Sequence, residues 1–331
     1  MSHTNAENRV LTQVDTVNAA PYSLDGTGVT VAIIDTGWWY SYNTLKKDIH
    51  GEYRILAEYD AIEDKLSHIA DKSGHGTHVT SIAVGSRVAD DGTYQGLAPN
   101  ANLVEVKAFE RTGQGTYADV IRGIDWIVAN KDTYGIRVLN LSFGGPARSR
   151  YWDDPLNQAV MRAWQNGIVV VASAGNDGPT PVTIGVPGNL PYVITVGAMT
   201  DSVTPLDWSD DRLASFSATG PTYEAFVKPD IVAPGGHVRG LMGLDSRFAT
   251  NHPHYHDGDA YFTMSGTSQA AAVVSGVVAL MLQQEPFLTP DDVKCRLMST
   301  ARARADGGNL NSEISYSVFQ QGAGLVHAWE A

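Results

Sequence analysis

Cysteine is almost absent. Cys295 is the one thiol in 331 residues, so no disulfide can close within the chain and the framework must come from a hydrophobic core. That leaves the compartment open, because a large secreted enzyme can also do without disulfides. Charge is scarce as well: charged residues make up 18% and hydrophobic residues 43%. Against a usual charged share of ~25%, this describes a compact globule and excludes a disordered chain. Basic residues are the minority, 23 Lys and Arg against 36 Asp and Glu, a net charge of -13. A nucleic-acid partner is therefore not expected, since backbone tracking needs a basic footprint. Long apolar runs are missing too. The longest, Ala270 to Leu282, is broken by Ser275 and Gly276; it falls short of the ~20 residues a membrane span needs and reads as a buried core helix. Residues 1–10 are polar and lack the apolar run of a signal peptide, so any targeting segment is expected outside this chain.

What is present alternates between strands and helices. Gly28 to Ile34, Leu103 to Phe109, Ile136 to Leu141, Ile168 to Ala172 and Tyr192 to Val196 are apolar, β-branched strand candidates. Between them, His75 to Val84 and Thr116 to Lys131 read as helices, the second with Val120, Ile124, Ile127 and Val128 on one face. A further helix opens with Asp153 or Asp154 as cap and Pro155 in its first turn, and another with Thr289, Pro290, Asp291 and Asp292. This order predicts an α/β fold, a doubly wound, mostly parallel sheet with helices on both faces. Gly235 to Asp259, rich in Gly and His, is expected to be a long surface loop. In such sheets sites form beyond the carboxyl ends of strands. That singles out Asp35 after the first strand, Asn140 and Ser142 after another, and Asn176 beyond Ser173-Ala174-Gly175.

Three local patterns carry chemistry: Asp35-Thr36-Gly37, His75-Gly76-Thr77-His78-Val79 and Ser265-Gly266-Thr267-Ser268-Gln269-Ala270. A serine hydroxyl becomes a nucleophile when an imidazole accepts its proton, and the imidazole needs a carboxylate to fix its tautomer. Asp-Thr-Gly alone is weak, because many turns carry it. In the order Asp, His, Ser, with Ala174-Gly175-Asn176, Asn140-Leu141-Ser142-Phe143-Gly144-Gly145 and Lys228-Pro229-Asp230-Ile231-Val232-Ala233-Pro234-Gly235, the chain resembles the subtilisin-like serine proteases, the subtilase family. The resemblance runs from about residue 25 to residue 325. It implies a serine endopeptidase working through an acyl-enzyme. Ser268 would be the nucleophile, His75 the general base and then acid, Asp35 its orienting carboxylate, and Asn176 the side-chain donor to the oxyanion. His78 is expected to be structural.

The resemblance also implies polypeptide substrates held as an extra strand between Gly113-Gln114-Gly115 and Ser142-Phe143-Gly144. The residue before the scissile bond would enter a pocket lined by Ser142, Phe143, Gly144, Ser173, Ala174, Gly175 and Gly185, with no acid among them. Tyr117, Val120 and Phe143 would form a neighbouring apolar pocket. Large apolar residues are then preferred before the cut, and Val186-Pro187 is expected to be cis. Residues 1–24 are expected to be an extension packing on or near a peptidase domain of residues 25–331. A mature or truncated, secreted, monomeric enzyme is expected, whose prodomain lies outside this chain. The chemistry requires no cofactor.

Metal expectations are weaker. The stretch Ser86 to Gly96 lacks the insertion that builds one calcium site of the family, so that site is not expected. A structural calcium elsewhere, with Asp60, Glu63, Asp64 or Asp71 as ligands, stays open, as does a metal comb of His252, His254 and His256 with Asp257 and Asp259. Gln269 and Ala272 stand where the family commonly has methionine and proline. A lipase or esterase would need a Gly-x-Ser-x-Gly elbow and the order Ser, Asp, His. The chain has neither. The remaining alternative is a catalytically silent binding module on a subtilase scaffold.

Overall fold

Every residue of Thr30–Asp35 (β1) is buried, as expected of a strand covered on both faces, where polar and apolar positions cannot alternate. The structure is a computed structural model that describes residues 12, 14–19, 22–88, 96–200, 210–304 and 314–331. Around β1 stand β2 (Ile55–Asp60), β3 (Lys65–Leu66), β4 (Asn102–Lys107), β5 (Ile136–Leu141), β6 (Val169–Ser173), β7 (Ile194–Thr200), β8 (Arg212–Leu213) and β9 (Ile231–Pro234). They form a nine-stranded sheet in the order 3-2-4-1-5-6-7-8, with β9 also on β7. Short β3 and β8 pair antiparallel; the other pairings are parallel. The order grows from β1 through β4 and β2 on one side and from β5 through β6 and β7 on the other. A crevice opens where the two directions part. Asp35, the last residue of β1, stands at that point.

The described helices of five residues or more are α1 (Val14–Asn18), α2 (His75–Val84), α3 (Tyr117–Ala129), α4 (Pro155–Gln165), α5 (Arg247–Asn251), α6 (Thr267–Gln284) and α7 (Pro290–Thr300). On the sheet α2 packs against α6, and α3 against α4. The capping signals are used as their chemistry dictates. Asp154 accepts from the N–H groups of Leu156 (2.9 Å) and Asn157 (3.1 Å) ahead of Pro155. Thr289 and Asp292 close a capping box on α7. Helix α1 buries Val14 and Val17 in the main core, and the Ala328 N–H donates to the Thr12 carbonyl at 2.9 Å. Most of the rest of 1–24 lies outside the described residues, as does the middle of the Ser86–Gly96 stretch. Among the described residues, no helix is long and apolar enough to cross a membrane.

Gly235–Asp259 is not the surface loop that its Gly and His content predicts. It contains β10 (Val238–Leu241), which pairs antiparallel with β11 (Tyr261–Met264), and then α5. Val238, Leu241, Met242 and Ala249 are buried, and Ser246 caps α5 by accepting from Ala249 N–H. Long-range pairing between Val238 and Met264 supplies order that local composition does not announce.

Candidate active site

The site grows from the carboxyl end of β1. His75 Nδ1 lies 2.8 Å from Asp35 Oδ1 and 2.9 Å from Oδ2. The Thr36 N–H donates to the same Oδ1 at 2.8 Å, which fixes the carboxylate plane. His75 is the first residue of α2, and the start of that helix is anchored by Asp71. The Asp71 carboxylate accepts from the N–H groups of Ser73, Gly74 and Thr77 and from the Thr77 hydroxyl, at 2.7–2.9 Å. Gly74, in the capping position, has no side chain to do this. Burial lowers the His75 pKa, but the Asp35 charge and hydrogen bond more than offset it and hold the imidazole above its ordinary value.

Ser268 is the second residue of α6 and is nearly buried. Its hydroxyl donates to the Ser142 carbonyl at 2.9 Å, and the Ser142 hydroxyl donates back to the Ser268 carbonyl at 2.9 Å. Asn140 completes this support: its Nδ2 donates to the Ser142 hydroxyl, and its Oδ1 accepts from the Ser275 hydroxyl, both at 2.9 Å. Asn176 Oδ1 accepts from the Thr267 N–H (2.9 Å) and the Thr267 hydroxyl (3.1 Å). The amide NH2 is thereby left to the cavity that Asn176 and Ser268 both line.

That cavity has a volume of about 590 Å³ and is walled by Phe143, Gly144, Ser173, Gly175, Ile184 and Gly185, among others. A Cβ on Gly185 would stand 2.6 Å from the Gly145 carbonyl, so glycine there lets the backbones at 145 and 185 approach. Val186-Pro187 beside it is cis. Ser142 and Ala174, expected on this wall, do not reach it: both are buried, and the Ser142 hydroxyl is spent on α6. The pocket is also not free of acid, because Asp177 is on its lining, as is exposed Tyr223. Asp177 follows Asn176 directly, and sequence alone could not tell which of the two faces inward. Gly113, Gln114 and Gly115 form an exposed edge beyond β4. Phe109 and Phe143 meet at a centroid distance of 4.8 Å, tying the two edge segments together. Tyr117 is half-exposed and donates to Asp154 Oδ2 at 3.2 Å; burial and the Asp154 charge push its phenol up to about 12.

His78 is structural. Its Nε2–H donates to the Phe262 carbonyl at 3.0 Å, and Gln269 Nε2 faces its Nδ1 at 3.4 Å. Burial pushes its pKa down to about 4, so it stays a neutral link between α2 and α6. Buried behind Asp35, Glu105 on β4 accepts from the Thr80 hydroxyl at 2.8 Å, while its Oε2 has no partner. Burial raises its pKa well above the ordinary carboxyl value. Most of the metal-ligand candidates have protein partners. Asp71 anchors α2, Asp60 accepts from the N–H groups of Ile62 and Glu63, Asp64 accepts from Tyr59, and Glu63 pairs with Lys65. His256 uses both nitrogens, donating to Met242 and accepting from Gly258. Asp257 accepts from the N–H groups of Asp259, Ala260 and Tyr261 and pairs with Arg239. His252 and His254 are exposed.

Thr36, Thr267 and Phe109 hold the site together but went unassigned from sequence. Thr36 and Thr267 sit inside motifs already singled out, which was the available signal.

Comparison with known proteins bears on the family and the fold. The model of the "Subtilase family" matches residues 26–323. The chain is 43% identical over 278 residues to serine protease AprX of Bacillus subtilis, covering 82% of this chain and 61% of that protein. It is 35% identical over 321 residues to subtilisin DY of Bacillus licheniformis, covering 96% of this chain and 94% of that one. Among solved structures, a cold adapted subtilisin-like serine proteinase superposes with a TM-score of 0.65 at 29% identity, covering 92% of this chain and 90% of that chain.

Proposed function

Because the chain belongs to the subtilase family, we propose that it is a serine endopeptidase whose nucleophile is Ser268, with His75 as base, Asp35 as the carboxylate that orients it and Asn176 as oxyanion donor. The observation that carries this reading is the Asp35 grip on His75 Nδ1, which leaves Nε2 as the proton acceptor. The reading requires the Ser268 hydroxyl to leave the Ser142 carbonyl for the imidazole by rotation about Cα–Cβ. Oγ then attacks the peptide carbonyl while its proton passes to Nε2. The oxyanion is met by the Asn176 NH2 and by backbone N–H groups at the start of α6, where the helix dipole favours negative charge. His75 gives its proton to the departing amine, and water repeats the sequence to free the acyl group. These groups supply every proton and charge the route needs, so it uses no cofactor.

Substrates are polypeptides running between 113–115 and 142–144, with a large apolar side chain in the cavity beneath Gly185. Asp177 stands exposed at the rim, where solvent screens it, so a buried cation deeper in the pocket would still lack a partner. The test uses chromogenic peptides and a serine-directed phosphonate. Peptides ending in Phe or Leu should be cut faster than those ending in Arg, and the phosphonate should label Ser268 as activity disappears. A protein that cuts no peptide and resists the label would be a silent scaffold, and the reading would fall.

A further inference from the structure

The segment from Ser246 to Asn251 forms a strap across one side of the cleft. The N–H groups of Arg247 and Phe248 donate to the carbonyls of Lys72 (3.0 Å) and Ser73 (3.1 Å), just before His75. At its other edge, Arg247 Nη1 donates to the Thr112 carbonyl at 2.6 Å, next to the edge segment 113–115. Gly74 is pressed beneath it: a Cβ there would stand 2.8 Å from Ser246 Oγ and 2.9 Å from Met242 Sδ. The Phe248 ring lies 6.4 Å from the His75 ring. This strap therefore joins the rim carrying the base to the rim that holds substrate.

Side chains of an extended substrate alternate between its two faces. If the residue before the scissile bond drops into the deep cavity, the residue preceding it points the other way, toward His75 and the strap. There it meets the apolar ring of Phe248 and the guanidinium of Arg247. Among the described residues, Arg247 is in no ion pair with a carboxylate; its recorded partner is a neutral carbonyl. It is a partly exposed cation in a chain of net charge -13.

We propose that Arg247 is a specificity-determining residue that favours a carboxylate side chain at the second position before the cleaved bond. This rests on the endopeptidase reading above. Phe248 supplies the apolar floor on which the methylenes of a glutamate lie.

The experiment measures kcat/KM for matched peptides with Phe before the cut and Glu, Ala or Lys at the position preceding it. Glu should exceed Lys by about fivefold at low ionic strength, mostly through KM, as befits a partly exposed charge pair. Salt should erode the ratio, because charges separated by solvent are screened over about 10 Å at 0.1 M. Arg247→Gln should bring the ratio close to one, and Arg247→Lys should restore most of it. Lysine keeps the charge but loses the planar fork, so rescue separates the charge from a mere structural clamp. A Glu-to-Lys ratio unaltered by Arg247→Gln, or one that Lys cannot restore, overturns the assignment while the endopeptidase reading stands. Failure to cut any peptide overturns both.

Discussion

Asp35→Asn is expected to lower kcat by about 10⁴-fold, a smaller loss than the roughly 10⁶-fold expected of Ser268→Ala. The amide is nearly isosteric, so the fold should persist, but asparagine can present an N–H where Asp35 now offers only oxygens to His75 Nδ1. The imidazole would then favour the tautomer with its proton on Nε2, the nitrogen that must accept from serine. A second signature follows from charge. His75 is held above its ordinary value because the Asp35 charge outweighs burial. Without that charge burial prevails, and the rising limb of kcat/KM against pH should move to lower pH for the residual activity. Equal loss with an unmoved limb would show that Asp35 acts only as a structural brace.

Glu105→Gln is expected to stabilise the protein, increasingly so as pH rises. Glu105 is wholly buried, with one hydrogen bond and an oxygen without a partner, and burial lifts its pKa well above 4.5. The sign follows from proton counting. Between the unfolded and the folded value, the native state keeps a proton that the unfolded chain has released. Stability therefore falls with rising pH across that window, by about 1.4 kcal/mol per unit. Glutamine keeps the acceptor for Thr80 and has no proton to lose. The variant should gain on wild type at that rate as pH rises above the unfolded value, read as a widening gap in Tm. Calorimetry on phosphonate-inhibited protein avoids self-digestion. A gap that does not change with pH would mean that Glu105 is charged in the folded state.

The proposed catalytic constellation could be read from sequence because each member lies in a short contiguous motif tied to a strand end or helix start. Asp35, His75, Ser268 and Asn176 all stand where the alternation of strands and helices placed them. The supporting atoms were not legible. The exchange of hydrogen bonds between Ser142 and Ser268 spans 126 positions of sequence, and no local pattern encodes it. The family resemblance implies Ser142 on the pocket wall, yet its side chain turns inward to the Ser268 carbonyl. The strap at Ser246 to Asn251 was invisible for a related reason: its order comes from β10 pairing with β11 and from carbonyls at 72, 73 and 112. Glu105 lay in an apolar strand covered on both faces, where alternation gives no hint of which side a carboxyl would face.

A protein with the proposed endopeptidase activity is exposed to autolysis, and the placement of Ser268 bears on how that damage accumulates. Every residue from Thr267 to Leu282 is buried, so α6 belongs to the part of the molecule that opens only when the whole domain does. Nicks in exposed connections would leave the fragments held together around this helix and the Ser268 geometry intact. Activity should then outlast chain integrity on a denaturing gel. Its final loss would coincide with exchange of the slowest amide protons, because both require the same global opening.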